Sequence, residues 1–262
     1  MKILALLFLI LLVLSGCSST NEDDVQRDRA MSQIQFLDNR IILMMNKLNN
    51  ISLENYTVTS HEAMIEEMGE GEENILVSEM VPNTVLTSEN NQNIDWHAIR
   101  GEIERVNSAW SVIILDLYEI DVNGDMLLEF GRELDIAIIN INGEDKVGSM
   151  SSLSRIYGYL PRFLENIPSE ENLRNIKQTK SFLLNAYTGV ERRNWIEVGT
   201  NVEEATNSFR NVIQNLDYMR DNEFRANRTY VMLNELKRSL EFRNEAIFHI
   251  NYRNVMQSLN TL

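Results

Sequence analysis

His61, Met64 and Met68 stand at i, i+3 and i+7, so a helix through them would carry an imidazole and two thioethers on one side. Soft donors of that kind suit Cu(I). The plainer account is that the two methionines fill gaps in a core and that His61 is an exposed residue at a helix start. A zinc site built from two histidines on one helical face needs the second four residues after the first, and position 65 is isoleucine. Hydrolytic chemistry has little else to draw on. The histidines are His61, His97 and His249, and none falls in a nucleophile, metalloprotease or phosphate-loop pattern. Glu104 and Glu203 could form a carboxylate pair across a bundle, but Asn107 and Thr206 occupy the places where a dimetal site needs histidine. Two solvated helix faces account for them better. Trp96 and Trp195 read as lids on a core.

The run Asp121-Val122-Asn123-Gly124-Asp125 resembles the opening of the calcium loops of EF-hand and dockerin modules. It then departs from them: Met126 replaces the sixth-position glycine, and Arg132 stands where the bidentate acid belongs. A turn at Asn123-Gly124 between two helices, with Asp125 capping the second, explains the same residues.

The strongest signal is at the N-terminus. Lys2 precedes an uncharged apolar run over residues 3–14, followed by Ser15, Gly16 and Cys17. The run is too short to span a bilayer, which takes about 20 apolar residues. It has the layout of a secretory leader with small residues before the cleavage point. Leu14-Ser15-Gly16-Cys17 resembles the lipobox of bacterial lipoproteins. That resemblance implies cleavage between Gly16 and Cys17, a diacylglyceryl thioether on Cys17 and residence on the extracytoplasmic face of a bacterial membrane. The covalent lipid on Cys17 is then the one prosthetic group expected, with no other cofactor. Cys17 is the only cysteine, so the body has no intrachain disulfide and no thiolate metal cluster.

Composition narrows the partners. The formal net charge of −15 becomes −16 once Lys2 leaves with the leader. Such a surface repels phosphate backbones, which argues against nucleic acid, and it repels anionic headgroups, so the membrane is reached through the lipid. Much of the imbalance sits in one stretch. Between Lys47 and Arg100 there is no basic residue, while Glu54, Glu62, Glu66, Glu67, Glu70, Glu72, Glu73, Glu79, Glu89 and Asp95 are acidic. Residues 51–94 form an acidic insert between two helices, with room for short extended pieces around residues 75–77 and 84–86. It is the place where a cation or small solute would bind if the chain had such a site of its own.

The elements that position these residues are helices. Eleven Gly and three Pro in 262 residues leave few breakers. Met31, Ile34, Leu37, Ile41, Met44 and Leu48 line one helical face, and Ile99, Ile103, Val106, Trp110, Ile113 and Leu117 line another, with Asp95 as N-cap. Helices are also expected over residues 127–141 and 150–164, the second kinked by Pro161. Ser169 should cap a helix bearing Leu173, Ile176, Leu183 and Tyr187, and Asn194 with Glu197 should open another as a capping box. Residues 223–259 make one long helix or two broken near Arg243-Asn244. Residues 96–117 match residues 195–216 at an offset of 99, pairing Trp96 with Trp195 and Glu104 with Glu203.

The expectation is therefore an all-α protein, a bundle of about six to eight helices with two similar halves. Residues 1–16 are the signal peptide, 17–30 a polar tether and 31–262 the helical domain. The function expected is a non-catalytic binding or structural module of the cell envelope, with an envelope protein or wall polymer as partner. The alternative is a cation- or solute-binding lipoprotein that uses the acidic insert and serves a membrane partner.

Overall fold

The computed structural model describes residues 19–49, 94–165 and 167–262. Among them every regular element is a helix. The leader, Gly16 and Cys17, and His61, Met64 and Met68 of the acidic insert, lie outside the described residues.

In chain order the helices are α1 (Ser19–Lys47), α2 (Trp96–Tyr118), α3 (Gly124–Asn142), α4 (Lys146–Tyr157), α5 (Tyr159–Phe163), α6 (Glu171–Glu191), α7 (Trp195–Gln214), α8 (Leu216–Ser239) and α9 (Glu245–Leu259). Their packing closes two rings. In the first, α1 packs on α2, α2 on α3, α3 on α4, and α4 returns to α1; in the second, α6, α7, α8 and α9 do the same. The rings meet where α4 and α5 lie on α6. One apolar core runs through both.

The apolar stripes explain the rings. Ile34, Leu37, Ile41 and Met44 of α1 and Ile99, Ile103, Val106 and Ile113 of α2 are all buried. Each such side chain is worth roughly 1.5–3 kcal/mol of apolar burial. The matched segments occupy equivalent places: α2 and α7 are each the second helix of their ring, start at Trp96 and Trp195, and are capped by Asp95 and Asn194. Both tryptophans pack partly buried against the core, as lids should.

Several boundaries differ from the sequence reading. The polar stretch expected as a tether is helical from Ser19. It contains neither Gly nor Pro, and its acidic residues suit the positive end of a helix. The helix expected across residues 150–164 breaks at Gly158, because Pro161 has no N–H to offer the carbonyl four residues earlier. A 3₁₀ turn, Pro168–Glu170, precedes α6, so Ser169 lies inside that turn and caps nothing. Asn123, with its side chain accepting from the Asp125 and Met126 amides, is the cap of α3, and Asp125 lies in its first turn. Leu216, expected on the buried stripe of α7, is 83% exposed. Asn215 turns the chain and caps α8, so Leu216 begins the next helix. The break near Arg243-Asn244 is present, with Arg243 at φ 45° and Asn244 capping α9.

Helices α6 and α7 pack closely at Gly189. A Cβ there would stand 3.0 Å from Val198 Cγ2 and 3.6 Å from the Val198 backbone nitrogen. Gly189→Val is expected to destabilise the fold by about 1–3 kcal/mol through overpacking, read as a lower denaturation midpoint.

Candidate functional site

The first notable constellation lies at the seam between the rings. Helix α1 brings Gln35 and Asp38, α4 brings Tyr157, and α6 brings Lys177 and Lys180. Asp38 is 1% exposed, Lys177 2% and Lys180 3%, and Tyr157 is wholly buried. The Tyr157 hydroxyl donates to Asp38 Oδ1 at 2.5 Å. Lys177 Nζ donates to Asp38 Oδ2 and, at 3.1 Å, to Gln35 Oε1. Lys180 Nζ reaches the same carboxylate oxygen at 3.4 Å. Two ammonium groups thus share one carboxylate.

Their protonation follows from this. Burial alone would raise the Asp38 carboxyl, but the charges of Lys180 and Lys177 and the hydrogen bonds from Lys177 and Tyr157 outweigh it and hold Asp38 below its ordinary value. For Lys180 burial dominates: the attraction of Asp38 opposes it, Lys177 adds to it, and the ammonium is pushed down to about 8. Burial and then the Asp38 charge keep the Tyr157 phenol well above its usual range. This is the arrangement of an interlock, with carboxylate and phenol from one ring and both ammoniums from the other.

The seam continues toward the far end of α1. Ser154 Oγ donates to Asn185 Oδ1 at 2.6 Å, and Lys146 pairs with Glu191 at 3.0 Å. Tyr187 and Tyr252 stack at 4.5 Å, with His249 edge-on to Tyr187 at 5.2 Å. Among the described residues, the buried Tyr252 hydroxyl and His249 Nδ1 have no hydrogen-bond partner. Burial, with Lys146 adding to it against Glu191, holds the His249 imidazole below its ordinary value.

The second constellation is on the surface. At the elbow from α2 into α3, Ile114, Leu115, Tyr118, Leu127 and Leu128 line a shallow groove of about 690 Å³ with Asn123 and Gly124 at its end. Leu115, Tyr118 and Leu128 are 63%, 68% and 65% exposed. Asp125 lines the same groove, and Glu119, Asp121 and Glu129 are exposed beside it in the chain. The turn expected at Asn123-Gly124 is present as a helix elbow: Asp121 takes the left-handed conformation (φ 60°) that ends α2, and the Asn123 side chain is used on backbone amides, not on a cation loop.

The remaining sequence candidates are dispersed. Glu104 is exposed on α2, whereas Glu203 pairs with Lys237 of α8 in the other ring, so they form no carboxylate pair. His97 is exposed on the first turn of α2. Sequence reasoning missed the seam, although a signal was present: the apolar stripe of α6 steps from Ile176 to Leu183, and the skipped positions are the buried Thr179 and Lys180. Compared with known protein families, curated proteins and solved structures, the chain matches none.

Proposed function

We propose that the protein is a lipid-anchored, extracytoplasmic module of a bacterial envelope that binds a partner without catalysing a reaction. The observation that carries the binding half is the exposed apolar groove at the α2–α3 elbow, where Leu115, Tyr118 and Leu128 come together. Three large apolar side chains exposed together beside polar residues support an interaction site there. The anchoring half rests on the lipobox-like residues Leu14 to Cys17.

The two halves fit together in space. Helix α1 starts two residues after Cys17, and its early residue Arg29 pairs with Glu119 at 3.3 Å and Asp116 at 3.7 Å at the C-terminal end of α2. The groove therefore lies beside the N-terminal part of α1, which supports a reading with partners at or in the membrane. The seam serves as internal structure: its charged groups are buried, and its contacts tie one ring to the other.

Two acyl chains give stable attachment, so Cys17→Ser is expected to move the protein from the membrane fraction to the soluble fraction with its helical circular dichroism unchanged. Retention of the Cys17→Ser chain on membranes after a salt wash would defeat the anchoring half. The alternative, a cation-binding lipoprotein using the acidic insert, predicts stoichiometric metal in the purified protein that disappears on removing residues 61–73.

A further inference from the structure

Resting on that reading, we infer that the α2–α3 groove receives an amphipathic helical segment of another protein, one whose apolar face is flanked by lysine or arginine. The groove supplies the apolar half of the match. Leu115 and Tyr118 project from the last turns of α2, and Leu128 from the second turn of α3, with buried Leu127 as the floor. Such spacing takes side chains at i, i+3 and i+4 of an incoming helix.

Charge selects the occupant. Asp121 and Asp125 lie on the elbow itself and Glu119 lies at the end of α2, while Glu129 of α3 is turned to the Tyr159 hydroxyl of α5. Arg29 is shared between Glu119 and Asp116, and Arg132 stands one turn beyond Leu128 on the same side of α3, so the acidic end of the groove is the elbow. The near rim is acidic, and the whole chain carries net −15. A second copy would set acidic rim against acidic rim, and an anionic lipid surface would be repelled; a basic flanked segment is attracted to the rim and covers the leucines.

The test uses the mature full-length chain in phosphatidylcholine nanodiscs, with empty discs as blank. The probes are two labelled amphipathic peptides of about 18 residues, one of leucine and lysine, the other of leucine and glutamate. The Leu/Lys peptide is expected to bind at least roughly tenfold more tightly than the Leu/Glu peptide. Leu115→Ser with Leu128→Ser should weaken it by roughly tenfold or more, while Ile196→Ser with Phe242→Ser, exposed apolar residues elsewhere, should leave it unchanged. Asp125→Asn should reduce both affinity and its dependence on salt. Equal binding of the two peptides, or undiminished binding by the leucine variant, would overturn the inference. So would a dimer of the wild-type chain that the leucine variant abolishes, because the groove would then belong to a second copy. Peptide binding by the Cys17→Ser chain without discs separates the two readings: its loss of anchoring leaves the groove intact.

Discussion

Asp38→Asn is expected to destabilise the protein by about 3–5 kcal/mol, the range for breaking a buried ion pair by removing one partner. Among the described residues, the carboxylate is the only acidic group set against the Lys177 and Lys180 ammoniums, and it also accepts the Tyr157 hydroxyl. An asparagine keeps the shape and one acceptor oxygen but removes the charge. Lys177 would retain Gln35 Oε1, whereas Lys180 would be left with a buried cation and no counter-charge. Because the seam joins the rings, the loss should appear in global unfolding by urea and not as fraying at one end. Adding Lys180→Met should recover part of the loss, since an apolar side chain of similar length no longer carries a charge into the core. Unchanged stability of Asp38→Asn would show that the seam holds nothing together.

The second large effect is the pH dependence set by Lys180. In the unfolded chain this ammonium titrates near 10.5, and in the folded chain at about 8. Between those values the unfolded state holds more protons, so stability rises with pH. The charged form thus costs the folded state stability below about 8, on the order of 3 kcal/mol for a shift of this size at a fully buried group. Above about pH 10 the trend reverses, because Tyr157 is raised in the folded state and the unfolded phenol ionises first. Asp38, held low, adds stability at neutral pH that is lost as the solution becomes acid enough to protonate it. Denaturation midpoints for the wild type should therefore climb between about pH 7.5 and about pH 9.5. Lys180→Met should be more stable than the wild type at the lower pH and should not show the climb. A wild-type profile that is flat over this interval, or a variant that climbs equally, would contradict the assignment.

How far the sequence reveals this structure depends on which residues end the helices. The stripes of α1, α2 and α7 are readable because their apolar residues recur at three and four. The 99-residue offset pairs Trp96 with Trp195, and the helices that they open, α2 and α7, each stand second in their ring. The boundaries are less readable. The chain reverses at Asp121, Glu144, Arg193 and Arg243, all in the left-handed region, with φ between 45° and 60°. Three of these stand directly before a capping Asp145, Asn194 or Asn244. Glycine is the usual signal for that conformation, so helix ends made by charged residues leave only the following Asn or Asp as a cue. The Asn194–Glu197 capping box is half formed, since the Asn194 oxygen accepts from the Glu197 amide while the Glu197 carboxylate takes the Asn194 side-chain amide.

The seam was hidden for a different reason. Lys177 and Lys180 read as polar-face residues, and the seam that α6 makes with Asp38 of α1 and with α4 buries them. Asp38 follows Leu37 inside an apolar stripe, an anomaly visible in the sequence whose partners lie about 140 positions away. The groove was hidden because Leu115 and Leu128 are apolar in a chain rich in apolar helix faces. Nothing in their spacing separates a leucine that packs from one that waits for a partner.

The central claim is that this helical body hangs from a lipid on Cys17, and the mass of the N-terminal peptide of the membrane-extracted protein tests it most directly. The account predicts a chain beginning at Cys17 and heavier than its sequence by a diacylglyceryl group. A chain that begins at Met1, or a Cys17 with a free thiol, would contradict it.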